Sequence, residues 1–134
     1  MKENGQSLVE LAVSLVLLLL LLSGTVEFGM AFFQFIQLRD AAQEGALYGS
    51  VNPKNVQEIE IRARGESNSP IDLTNPNVKF SIVYSGMPCE GFKNSIKIVM
   101  EYDHKIFMPF LSAIVKSLRL HAEVTDTILA PTCP

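Results

Sequence analysis

The chain has 134 residues, and setting aside a long apolar N-terminal segment leaves a remainder the size of one small domain. A formal charge of -3, with 11 Lys and Arg residues scattered rather than clustered, leaves no basic stretch to follow a phosphate backbone and excludes nucleic acid as the expected partner. No G-x-S-x-G turn and no glycine-rich phosphate loop occurs, so we expect no catalytic residue, no cofactor and no small-molecule substrate.

The dominant element is the apolar run from Leu8 to Leu38, in which Leu11 to Val26 carry no charge and Leu17 to Leu22 are all leucine. Sixteen uncharged residues rise about 24 Å as a helix, slightly short of a hydrocarbon core of about 30 Å, so flanking residues must complete a membrane span. Leu8, Val9 and the segment from Phe28 to Ile36 are suited to that. A cleaved secretory signal fits less well, because Glu3 offsets Lys2, Glu10 abuts the apolar core, and apolar character continues past Ser23 and Gly24. No proline precedes Pro53, so one helix from about Gln6 to Tyr48 is expected. Its second half carries a stripe of Leu38, Ala41, Ala42, Gly45, Ala46 and Gly49, suited to close approach of another element of the same chain.

Beyond the helix, Asn52 and Pro53 read as an N-cap and first helical position, opening a short helix that ends near Gly65. Glu66 to Pro76 reads as a loop. Val78 to Tyr84 and Ile96 to Tyr102 alternate as two strands of a hairpin around the turn-forming stretch Gly86 to Asn94. Ile106 to Val115 is a short apolar segment, helical after Pro109, and Leu118 to Val124 give a third strand. The expected fold is therefore α+β: a long N-terminal transmembrane helix continuing into a small head whose three-stranded antiparallel sheet is covered by the emergent half of that helix.

Two cysteines in an exported head have one intramolecular pairing, and a disulfide between Cys89 and Cys133 is expected over two free thiols. It would restrict the unfolded chain by about 3 to 5 kcal/mol. Glu101, Asp103, His104 and His121 allow a metal site to be imagined, but their spacing supports none, and exposed polar residues are the expected reading. Glu27 is a candidate contact with another subunit's helix, although its place at the end of the span favours an interfacial carboxylate reaching water.

The first ten residues are the most informative. Met1-Lys2-Glu3-Asn4-Gly5 precedes Gln6-Ser7-Leu8-Val9-Glu10 at the entry to the apolar run, and this resembles a type IV prepilin-like signal, whose short polar leader ends in glycine and whose fifth mature residue is glutamate. The resemblance implies cleavage between Gly5 and Gln6 by a prepilin peptidase. Glu10 is costly near hydrocarbon unless it is interfacial or paired, and the new amine on Gln6 of one subunit could pair with Glu10 of a neighbour to set their axial stagger. The plainer account of Glu10 is a carboxylate in the headgroup region of an ordinary anchor.

Gly5 to Glu10, Glu27-Phe28-Gly29, and Ala41 to Tyr48 together resemble the TadE-like pseudopilins of the tight-adherence (Flp) pilus systems, over residues 5 to 50. Met30 and Gln43 stand where that family commonly has arginine. The resemblance implies residues 1–5 as leader, 6–50 as the long helix and 51–134 as an extracytoplasmic head. It implies a minor, non-enzymatic pilin-like subunit whose partners are the prepilin peptidase, membrane lipid and other pilins or pseudopilins through the N-terminal helix. The location implied is a single-pass membrane protein with its head in the periplasm or cell exterior, open to incorporation into a pilus. The alternative is an uncut, single-pass anchored domain that binds an envelope partner through its head.

Overall fold

The chain's structure is a computed structural model that describes residues 3–65, 69–87 and 94–129. A single helix, α1 (Glu3–Val51), runs unbroken through the apolar segment and on into the head, as the absence of proline allows. It is followed by α2 (Val56–Arg64), β1 (Lys79–Ser85), β2 (Ser95–Lys105), the short turn α3 (Pro109–Ser112) and β3 (Ser117–Thr127). The sheet has the order β1-β2-β3 with both pairings antiparallel. This is the α+β fold expected from the sequence.

The core lies between the second half of α1 and one face of the sheet. Ile96, Ile98 and Met100 of β2 are fully buried, with Leu120 and Ala122 of β3 and Leu38, Ala42 and Ala46 of α1 packed against them. The register places Ile98 between Ile82 and Val124, and Met100 between Phe80 and Ala122, so apolar partners line up across all three strands. The small-residue stripe of α1 does what its spacing implies, within one chain. A Cβ on Gly45 would stand 2.9 Å from the Cβ of Ala63, and one on Gly49 would stand 2.5 Å from Ile96 Cδ1. Bare backbone at these two positions lets α2 and β2 approach α1.

The start of the short helix differs from the sequence expectation. Asn55, rather than Asn52, caps α2, its side chain accepting from the Glu58 N–H at 3.2 Å. Pro53 sits in the preceding turn, and its carbonyl accepts the Tyr84 hydroxyl hydrogen bond. Burial of that phenol raises its pKa above the usual tyrosine value. After α2 the chain is fastened back to the helices by side chains. The Gln37 amide both donates to the Ile71 carbonyl and accepts its N–H, each at 2.8 Å, and Arg64 donates to the carbonyls of Leu73 and Val78. At the end of β3, the Leu129 N–H donates to the Ser50 carbonyl at 2.8 Å.

β2 runs antiparallel to α1. Its first residues meet α1 near Gly49, and its last residues meet α1 near Gln34 and Glu27. The head therefore has two poles. The paired ends of β1 and β2 at Ser85 and Ser95, with the end of α1, form one, and the β2–β3 connection, residues 106–116, forms the other, beside the apolar half of α1. The expected disulfide partners Cys89 and Cys133 lie outside the described residues.

Candidate functional site

The first half of α1 carries the candidate assembly and processing residues. Gly5, Gln6 and Glu10 are exposed on it, as are all residues from Leu8 to Leu22. A helix apolar on every side and left uncovered by the described residues of the head has no stable place in water. Its exposed side chains require lipid or other apolar helices around them. The helix also runs through the expected cleavage point, since Glu3 to Gly5 form its first turn. Four N–H groups of a first helical turn lack intrahelical partners, so this end can open for a peptidase at little cost.

Glu27 departs from its expected role. Rather than reaching water, it is buried, only 7% exposed, beneath the head. Its Oε1 accepts the backbone N–H of Phe107 at 3.0 Å and stands 2.9 Å from Nε2 of His104. His104 is also not the exposed polar residue expected; it is 4% exposed and its Nδ1 lies 2.6 Å from Oε1 of Gln34, itself 6% exposed. With Glu27 ionised, Nε2–H donates to the carboxylate. The Gln34 amide then accepts from Nδ1–H of an imidazolium or, turned over, donates to Nδ1 of a neutral ring. Either arrangement gives both ring nitrogens of His104 a partner, which is the condition for burying the ring, and no buried side-chain polar atom lacks a partner among the described residues. The triad joins α1, at the end of its uncharged run, to the last turn of β2.

This cluster had a signal in the sequence. The inward parity of β2 set by Ile96, Ile98 and Met100 continues through Tyr102 to His104, which places Asp103 on the opposite face. On α1, Glu27, Ala31, Gln34 and Leu38 are spaced by four, three and four residues, extending the head-facing stripe one more turn at each step toward the membrane. The outward face carries ordinary surface pairs. Arg119 meets Asp103 at 3.3 Å, His121 meets Glu101 at 3.1 Å, and Lys97 donates to Glu123 at 3.3 Å. The lysine holds the Glu123 carboxyl below its ordinary pKa. The residues considered for a metal are thus divided between two faces of the sheet, and no group of three or more His, Cys, Asp or Glu side chains converges among the described residues.

An open cleft of about 410 Å³ lies between α1 and α2, bordered by Phe33, Ile36, Gln37, Arg62 and Pro70. Three of its polar side chains are engaged in the fold: the Gln37 amide holds the backbone of Ile71, Arg64 donates to the Leu73 carbonyl, and Arg62 pairs with Glu58 at 3.2 Å and stacks over Tyr48, while Asp40 and Glu44 also line the cleft. The exposed apolar helix, and the polar triad that joins it to the head, therefore remain the features that bear on function.

Comparison with known proteins agrees with the N-terminal motifs. No curated protein and no solved structure matches the chain. The family model TadE, described as TadE-like protein, matches residues 5–47, from Gly5 through the buried stripe of α1 and short of the rest of the head. The long exposed apolar helix and this match together support a membrane-anchored protein whose N-terminal helix, over residues 5–47, is similar to the TadE-like family.

Proposed function

We propose that the chain is a minor pilin-like subunit, a pseudopilin, that a prepilin peptidase cuts between Gly5 and Gln6 and that takes part in assembling a tight-adherence type pilus. The observation that carries this reading is the TadE-like match that begins at Gly5 and covers a helix whose apolar surface the head leaves bare. After cleavage the Gln6 amine and Glu10 stand one helical turn apart on an exposed face, available to pair between neighbouring subunits once the helices leave the bilayer. The head travels as a rigid extension of the same helix, because α1 continues into its core without a break. Its role is structural rather than catalytic, and its partners are the peptidase, lipid and other pilin-like helices.

The test is the intact mass and N-terminal sequence of the protein from its own membranes, beside a Gly5→Arg variant. The expected result is a chain starting at Gln6, lost in the variant because a long side chain obstructs the scissile bond. A wild-type chain that retains Met1 would overturn the processing reading and leave an uncut anchored head.

A further inference from the structure

The membrane-side pole of the head ends in a loop with an unusual surface. Residues 106–116 join β2 to β3 with the sequence Ile-Phe-Met-Pro-Phe-Leu-Ser-Ala-Ile-Val-Lys. Phe107 is 88% exposed and Ile114 is 83% exposed, while Val115 and Leu118 project beside them. Large apolar side chains at a loop tip do not help this head fold, since the core closes without them. Two independent observations say what covers them.

The first is position. The Phe107 N–H donates to Glu27 Oε1, which fixes the loop at the level of Glu27. The uncharged run from Leu11 to Val26 rises about 24 Å, most of the roughly 30 Å hydrocarbon thickness, so Glu27, the next charged residue, stands near the level where α1 leaves the hydrocarbon. Phe28 and Phe32, stacked with ring centroids 6.2 Å apart, stand at the same depth on the helix. The second is charge. Lys105 and Lys116 are exposed at the two ends of the loop, whose base is joined by the Ile106 N–H and the Lys116 carbonyl. An apolar tip between two cations matches the layering of a leaflet surface, with acyl chains below and phosphates above.

From these we infer that the β2–β3 loop is a second membrane contact, its Phe107 and Ile114 entering the interfacial layer of the leaflet from which α1 emerges while Lys105 and Lys116 meet lipid phosphates. This rests on the reading of α1 as a membrane span. The partner is the lipid surface. The contact would hold the head against the bilayer before assembly, with the Glu27–His104–Gln34 cluster as the joint between span and loop.

The chain has no tryptophan, so single tryptophans report depth without background. The full chain would be placed in vesicles of phosphatidylethanolamine and phosphatidylglycerol at high lipid excess, with part of the lipid brominated on its acyl chains near the headgroup end. Phe107→Trp and Ile114→Trp replace exposed side chains, Leu19→Trp reports the span, and Met87→Trp, 63% exposed at the opposite pole, reports a position in water. The expected result is bromine quenching and a blue-shifted emission at positions 107 and 114, quenching at 19, and neither effect at 87. Quenching at 19 with none at 107 and 114 would overturn the loop contact and leave the span intact. A blue shift at 107 without quenching would show the tip covered by protein, a second copy of the chain, and would equally overturn it. Loss of quenching at 19 as well would remove the span and the contact together.

Discussion

Replacing His104 by leucine should unfold the head more readily than any surface change in this chain. The side chain is similar in bulk, so packing changes little, but the ring supplies the partner of the Glu27 carboxylate at 2.9 Å and of the Gln34 amide at 2.6 Å. The variant leaves a carboxylate, buried at 7% exposure, with the backbone N–H groups of Phe107 and Met108 as its remaining donors among those described. Breaking a buried pair from one side costs about 3 to 5 kcal/mol, and the lower end applies because the backbone of Phe107 and Met108 still donates. With a slope of about 1.5 kcal/mol per molar urea for a head of this size, the midpoint should fall by roughly 2 M. Glu27→Gln retains an acceptor oxygen for the His104 ring and the Phe107 N–H and should cost about 1 kcal/mol. The double variant Glu27→Leu/His104→Leu removes the stranded charge, so its cost should fall short of the sum of the two single leucine variants by about 1 to 3 kcal/mol. The assay is urea unfolding of the full chain in detergent micelles, followed by the near-ultraviolet circular dichroism of its three tyrosines. Additive single and double variants, or a His104→Leu midpoint unchanged from wild type, would refute the buried triad and return Glu27 to open water.

Three further outcomes follow from local geometry. Gly45→Ala should destabilise the head by about 1 to 2 kcal/mol net, because its Cβ meets the fixed Cβ of Ala63 and forces α2 outward; Gly29→Ala, with nothing within 4 Å, should show no such loss in the same unfolding assay. Arg64→Met leaves the carbonyls of Leu73 and Val78 without that donor and should speed amide hydrogen exchange through residues 69–78, at a stability cost of about 1 to 2 kcal/mol. The Thr74 hydroxyl, followed by its N–H, holds the Asp72 carboxyl below its ordinary pKa. Because the folded value is depressed, this contribution to stability is present above the unfolded aspartate value and is lost as pH falls through the folded one. In Thr74→Ala the Asp72 titration followed by nuclear magnetic resonance should move up toward the ordinary value, and an unmoved titration would remove the hydroxyl as the cause.

The sequence by itself determined the architecture at the level of elements. A proline-free run of apolar residues allows one long helix, since nothing interrupts its hydrogen-bond ladder, and it cannot be covered by so small a remainder. Alternation of period two established three strands, and the Gly45 and Gly49 stripe identified the face of α1 on which the head packs. The resemblance of Gly5, Gln6 and Glu10 to a prepilin-like signal is likewise carried by local order along the chain. What only the tertiary structure decided is which polar residues meet. Glu27 and His104 are 77 residues apart, and a carboxylate at the end of a span reads the same in sequence whether it faces water or a buried imidazole. Periodicity places each on the inward face of its own element, but the axial register of β2 against α1, set by Ile96 seated at Gly49, is what brings them to 2.9 Å. That same register carries the apolar loop of residues 106–116 to the level of Glu27 on α1. Local pattern therefore gives faces, and packing between distant elements gives the level at which those faces touch.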